Sequence, residues 1–158
     1  MILAELSHAP QHIPTLARWH FNEWHLLYPG RTLDDFQADL QACLTDASVP
    51  VTWVLLDGDR AVGSASILRH DMTTNQQLSP WLANVYICPE YRGRGLGNQL
   101  ITGVMQRAYK RGIERLYLFT EDQQAFYRRL GWRLLKQDVY EGAEVAIMSI
   151  NLVAEVTA

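Results

Sequence analysis

Little in this sequence calls for reinforcement from outside the polypeptide. Only two of its 158 residues are cysteines, Cys43 and Cys88. They show no CxxC spacing and no neighbouring histidine pair, which argues against a disulfide framework or a structural metal and for a reducing, cytoplasmic setting. No run of about 18 uninterrupted apolar residues occurs. Met1 to Glu5 also lacks the basic segment and apolar run of an export signal, so neither a membrane span nor secretion is expected. Internal repeats, low-complexity tracts and a dividing linker are all missing, and a single domain over residues 1–158 is the expectation. At this length folding hides roughly 68 to 70% of the unfolded chain's surface, enough for a core without staples.

Excess charge is missing too, but its distribution is uneven. Fourteen Lys and Arg against 17 Asp and Glu leave a net charge of −3, which gives no general attraction to nucleic acid. Residues 1–89 hold four basic and nine acidic side chains, whereas Glu90 to Arg133 holds nine basic and four acidic ones. A basic segment for an anionic ligand and an acidic remainder facing a cationic one is the pattern of a protein with two substrates.

Apolar spacing places the elements. Ile2 to Leu6 reads as a short strand. Ile13, Leu16, Ala17, Phe21, Trp24, Leu27 and Tyr28 recur at helical spacing, a helix that Pro29-Gly30 ends. Thr32 with Asp35 resembles a capping box, and Leu33, Phe36, Leu40, Cys43 and Leu44 line a second helix. Val51 to Leu56 and Ala61 to Leu68 flank the turn signal Asp57-Gly58-Asp59 and predict an antiparallel hairpin. Beyond the polar loop Asp71 to Pro80, Trp81 to Cys88 is an apolar strand, Leu96 to Ala108 a helix stopped by Gly112, and Arg115 to Phe119 another strand. A short helix, Ala125 to Leu130, and a terminal hairpin around Glu141-Gly142 complete an α/β chain with a mixed sheet of about seven strands and about four helices.

The most informative stretch is Val85 to Gly97, V-Y-I-C-P-E-Y-R-G-R-G-L-G. It runs from a strand, through a proline stop, into Arg92, Gly93, Arg94, Gly95 and Gly97 at the opening of a helix. Alternate glycines strip the turn of side chains, the helix end adds its positive pole, and two arginines supply countercharge, which together make an anion cradle. A nucleotide P-loop needs Gly-Lys-Ser/Thr where this chain has Gly97-Asn98-Gln99. A dinucleotide site needs GxGxxG after the first strand of a βαβ unit and an acid about 20 residues on, whereas the spacing here is GxGxG and Glu114 sits before the next strand rather than at its end.

Arg92-Gly93-Arg94-Gly95-Leu96-Gly97 resembles the R/Q-x-x-G-x-G/A acyl-CoA signature of the GNAT N-acetyltransferases. Ala125 to Trp132, A-F-Y-R-R-L-G-W, resembles that family's second signature in looser form, and the element order matches over nearly the whole chain. The resemblance implies a splayed sheet in which the backbone of Val85, Tyr86 and Ile87 binds pantetheine. Arg92, Gly93, Arg94, Gly95, Leu96, Gly97 and Asn98 would then hold the pyrophosphate of acetyl-CoA, with no metal. It further implies direct acetyl transfer to the primary amine of a small molecule or peptide within a ternary complex. A homodimer is left open, and nucleic acid and membrane are not expected as partners.

Acetyl transfer needs a neutral amine, a polarised carbonyl and a proton for the departing thiolate. By resemblance Tyr127 stands beside the CoA sulfur as general acid. Two departures from the family pattern stand out. Ser79 to Cys88 carries no carboxylate where many relatives have a glutamate, which leaves Glu23, Glu121, His25, His70 or relayed water as bases. Thr120 stands where many relatives have an asparagine that contacts pantetheine, and its hydroxyl is the expected partial substitute at that contact, beside Tyr127. Aromatic residues cluster in the regions that wall the acceptor side in relatives, and Trp24, Tyr28 and Trp81 are the expected acceptor contacts among them. The rival reading is a non-catalytic acyl-CoA-binding regulatory module.

Overall fold

The computed structural model describes residues 1–153. Its seven strands form one sheet: β1 Ile2–Glu5, β2 Val51–Asp57, β3 Arg60–Leu68, β4 Trp81–Ile87, β5 Arg115–Thr120, β6 Arg133–Tyr140 and β7 Ala143–Asn151. Their order is β1-β2-β3-β4-β5-β7-β6. All neighbours run antiparallel except β4 and β5, which are parallel and pair at the single position Trp81↔Tyr117. Beyond that pair the two central strands diverge, so the sheet opens into a cleft between them. This is the mixed, splayed sheet expected from the sequence.

Helices cover both faces. α1, Ile13–Trp24, and α2, Leu33–Gln41, put Ile13, Leu16, Ala17 and Leu40 against Val54 and Ala61 on one face. On the other, α3, Leu96–Lys110, buries Leu96, Leu100, Ile101, Val104 and Ala108 against Trp53, Leu55, Ala65, Ile67, Leu116 and Leu118. Side chains alternate across a strand, so Trp53 and Leu55 go one way and Val54 the other. Coverage on both sides is why Val51 to Leu55 is buried without interruption. α4, Gln124–Arg129, brings Tyr127 and, just beyond it, Trp132 to the edge of the α3 layer.

The expected capping box is present: Asp35 N–H donates to Thr32 Oγ1 at 3.2 Å and Thr32 N–H donates to Asp35 Oδ2 at 2.8 Å. Two helix ends differ from expectation. The first helix stops at Trp24 and continues as a tighter turn over His25–Leu27, and α2 stops at Gln41, leaving Leu44 39% exposed. Helical periodicity persists through a 3₁₀ turn, so it cannot mark where the α-helix gives way.

Candidate active site

β4 is irregular where it pairs with β3. Ser64 pairs with Tyr86 and Ser66 with Ala83, so two residues, Asn84 and Val85, stand opposite Ala65 alone, a β-bulge. Asn84 takes a left-handed φ of 55°, a conformation that asparagine tolerates better than most residues. Its side-chain Nδ2 donates to Ser66 Oγ at 3.2 Å, and its carbonyl accepts from Ser64 Oγ at 3.0 Å. Behind these, His20 Nε2 lies 2.8 Å from Ser64 Oγ, and Thr52 and Ser66 share a 2.7 Å hydrogen bond. On the cleft side β4 has no strand partner past Trp81, which leaves the backbone of the bulge available to a ligand.

At the open end β4 runs into the anion cradle. Gly93 and Gly95 have φ of 78° and 75°, left-handed values at which an L side chain is strained, and a Cβ at either would meet nothing within 4 Å. Gly95 is the N-cap of α3, no side chain caps that end, and the first intrahelical bond runs from Gln99 N–H to the Gly95 carbonyl at 3.2 Å. The amides of Leu96, Gly97 and Asn98 therefore form the open first turn. Arg92 and Arg94 are both exposed. Arg92 is tethered by Nε to the Ile87 carbonyl at 2.8 Å and lies over the Tyr86 ring at 5.3 Å. Arg94 lies 4.9 Å from the Tyr91 ring centroid. Open amides, a helix pole, two guanidinium groups and unobstructed backbone fit a pyrophosphate.

Tyr127 faces α3 from α4. Phe126 touches the position a Gly97 Cβ would fill, at 3.4 Å, so the second motif packs directly on the first. Tyr127 is 7% exposed, and Trp132 stands edge-on to it at 5.9 Å. Burial alone pushes its phenol well above the usual tyrosine range, so it keeps its proton at all physiological pH.

A family model described as Acetyltransferase (GNAT) family matches residues 13–132, about three quarters of the chain. The chain belongs to the GNAT acetyltransferase family. It is 34% identical to N-alpha-acetyltransferase 80 of Mus musculus over 89 residues, which cover 54% of this chain and 28% of that protein. It is 35% identical to N-alpha-acetyltransferase 30 of Schizosaccharomyces pombe over 85 residues, 51% of this chain and 56% of that one. The chain thus matches between 28% and 56% of the length of these curated relatives. In fold it is similar to an aminoglycoside 6'-N-acetyltransferase solved with coenzyme A, at a TM-score of 0.77 and 14% identity, over 99% of this chain and 100% of that one.

In this GNAT chain the expected acceptor-side residues divide. Trp24 is half-buried at the end of α1, with its ring 5.4 Å from His20 and 6.3 Å from Tyr86 on β4. Tyr28 is half-buried and donates its hydroxyl to the Asp71 carboxylate at 3.1 Å. Trp81 corrects the expectation. It is fully buried, donates Nε1 to the Leu78 carbonyl at 2.7 Å and packs on Tyr117 and Phe119, because it fills the corner where β4 and β5 still touch. It closes the cleft from beneath and has no surface to offer a ligand. Glu23 is exposed on α1, and Glu121 is exposed after β5. The Thr120 hydroxyl already accepts from Gln123 N–H at 3.0 Å, so it anchors the turn into α4. His25 donates its Nδ1–H to the Phe21 carbonyl at 2.8 Å, and both His25 and His70 are exposed.

Two groups escaped the sequence reading. His20, 2% exposed, is pushed down to about 3 by burial. Its signal was there, a polar residue continuing the buried Ile13, Leu16, Ala17 stripe of α1. Asp71, beside Tyr28, is pushed up to about 7 by burial, and nothing in its polar loop marks it. Among the described residues no group of three His, Cys, Asp or Glu is placed to hold a metal, and no helix is long and apolar enough to cross a membrane.

Proposed function

We propose that this protein is an acetyl-CoA-dependent N-acetyltransferase that passes the acetyl group directly to a primary amine of a small molecule or peptide within a ternary complex. The observation that carries the reading is a groove along the unpaired edge of β4 that leads into the cradle. β4 has no strand partner on that side past Trp81, it runs into Arg92 to Asn98 at the start of α3, and Phe126, next to Tyr127 on α4, packs against Gly97 of that turn. Residues 1–158 are taken as one such domain. The two free cysteines, both buried, suit a reducing cytoplasm.

The groove meets each chemical need of the reaction. The α3 amides, with Arg92 and Arg94, hold the diphosphate as an anion. Bulge amides on β4 donate to the thioester oxygen as it gains negative charge. The amine nitrogen bonds to the carbonyl carbon and the carbon–sulfur bond breaks. Tyr127, held neutral by burial, donates a hydrogen bond and proton to the leaving sulfur and takes a proton back from water. The amine's surplus proton leaves to water, since Glu23 and Glu121 are both solvated and β4 offers no carboxylate. The two relatives named N-alpha-acetyltransferases support a peptide amino terminus as acceptor. The nine acidic side chains among residues 1–89 support one that carries positive charge.

The test is a panel of amines and amino-terminal peptides incubated with acetyl-CoA, read as free CoA thiol. Release that depends on the acceptor, with an acetylated product by mass, is the expected result. Tight CoA binding with no release across the panel would establish instead the non-catalytic acyl-CoA-binding module, the reading that the carboxylate-free β4 favours.

A further inference from the structure

Asn84 is held by a set of buried polar groups that the transfer chemistry above does not use. His20, Thr52, Ser64 and Ser66 are the polar side chains below 3% exposure among the described residues, and all four connect to Asn84. Such groups are costly to bury and are tolerated when fully hydrogen-bonded. Here they meet at the one residue of β4 with a left-handed backbone.

The directions of these bonds follow from their inventory. The Asn84 carbonyl can only accept, so Ser64 Oγ donates to it. A hydroxyl has one proton, so Ser64 must accept at its other contact, and His20 Nε2–H is the donor there. His20 is therefore neutral and protonated on Nε2, and a chain of donors runs from α1 through β3 to the Asn84 carbonyl. A trans peptide is planar, with its C=O and N–H pointing opposite ways. The bond from Ser64 therefore fixes the plane of the Asn84–Val85 peptide and points the Val85 N–H away from Ser64, out of the polar cluster.

We propose that His20, acting through Ser64, is a positioning residue for acetyl transfer, fixing the Asn84–Val85 peptide so that the Val85 N–H meets the thioester carbonyl. The proposal rests on the acetyl-CoA reading above and assigns that reading's carbonyl donor to one amide and its orientation to one relay. His20 itself touches neither substrate.

Infrared difference spectra of acetyl-CoA labelled with ¹³C at the carbonyl test it without any knowledge of the acceptor. In the wild-type complex the carbonyl stretch should fall below that of the free thioester, the signature of a hydrogen bond. Ser64→Ala and His20→Phe should return it to the free value while the CoA dissociation constant stays within about twofold. His20→Gln, which keeps an N–H donor, should retain the shift. With an acceptor in hand, kcat should drop about tenfold or more in the first two variants at unchanged KM for acetyl-CoA. A merely structural role for His20 predicts lost stability with the carbonyl shift intact, and that outcome overturns the proposal. Should Ser64→Ala fail to fold, the contrast between His20→Phe and His20→Gln decides on its own. Acetyl-CoA bound by the wild type with no carbonyl shift overturns the positioning claim and leaves the cradle standing, whereas no binding at all overturns both.

Discussion

Two buried ionisable groups should pull the acid stability of this protein in opposite directions, and separating them is a sharp test of the described interior. His20 titrates near 6.5 in an unfolded chain and is pushed down to about 3 in the fold. Between those values the unfolded state binds the extra proton, so this contribution to stability is complete above pH 6.5 and is lost as pH falls towards 3. From pH 7 to pH 5 the loss covers about 1.5 pH units, or about 2 kcal/mol. Asp71 behaves oppositely. Burial raises it from 3.8 to about 7, so the fold holds a proton that the unfolded chain has released. Its contribution is complete below pH 3.8 and is lost as pH rises through 7. Over the same interval full burial would give a gain of about 2.3 kcal/mol, and solvent contact at the half-buried Asp71 cuts that to about 1 kcal/mol.

The wild type should therefore be nearly flat between pH 7 and 5, losing under about 1 kcal/mol. Asp71→Asn keeps an acceptor for the Tyr28 hydroxyl and removes the titration, which uncovers the His20 slope. That variant should lose about 2 kcal/mol on going to pH 5, a fall of about 1 M in the urea midpoint for a slope of about 2 kcal/mol/M. His20→Gln should instead become about 1 kcal/mol more stable on the same acidification. Asp35 and Asp138, both held below the usual carboxylate range by hydrogen bonds, act below about pH 4 and do not intrude. Urea melts of the three proteins at the two pH values are the measurement. A flat Asp71→Asn variant would mean that His20 is not neutral and sealed in the native state, and the donor chain to Asn84 would fall with it.

Gly63→Ala should destabilise the fold by about 1–3 kcal/mol in urea melts, because its Cβ would stand 2.9 Å from Ile87 Cδ1 and 3.0 Å from the Tyr86 carbonyl, and that carbonyl cannot swing aside as a side chain can. Gly95→Ala meets no neighbour but must hold φ at 75°, at about 1 kcal/mol; its fold should survive and its CoA affinity fall, since the methyl projects where a pyrophosphate approaches the backbone. Undiminished CoA binding by calorimetry in a folded Gly95→Ala protein would contradict that approach. Tyr127→Phe should lower kcat by about 10² to 10⁴ while the acetyl-CoA dissociation constant changes little. An intact kcat, with chemistry shown to be rate-limiting, would return Tyr127 to the packing around Trp132 and leave solvent as the proton source.

The glycine turn that opens α3 could be read from the sequence because every part of it is local. Strand, proline, alternate glycines and helix start lie within Val85 to Gly97, and left-handed turns announce themselves as glycine. The hairpin of β2 and β3, the capping box at Thr32 and the order of the elements were legible for the same reason. Trp81 was misplaced because strand periodicity tells only that a side chain alternates, and whether its face meets ligand or core depends on Tyr117 and Phe119, more than 35 positions away. The bases stayed unresolved because exposure, which demotes Glu23 and Glu121, is a property of the assembled surface.

The bulge shows most clearly where local reading ends. Register is a relation between two strands, and the extra residue on β4 exists only against Ala65 on β3, so no pattern within W-L-A-N-V-Y-I could place it. What the strand does contain is one asparagine among apolar neighbours, the residue type that adopts φ near 55° at least cost and can also bond sideways. Taken alone, Asn84 is an unremarkable polar residue in a strand. Taken with His20 at a buried position of α1 and with serines at alternate positions 64 and 66 of β3, it becomes the meeting point of four buried polar groups. Each of those four breaks the local rule that core faces are apolar, and the breaks are consistent only if the strand is irregular at the residue they surround. Polar residues that share a buried face across neighbouring elements are thus, in this chain, the trace that a backbone irregularity leaves in the sequence, and they point to the Asn84–Val85 peptide.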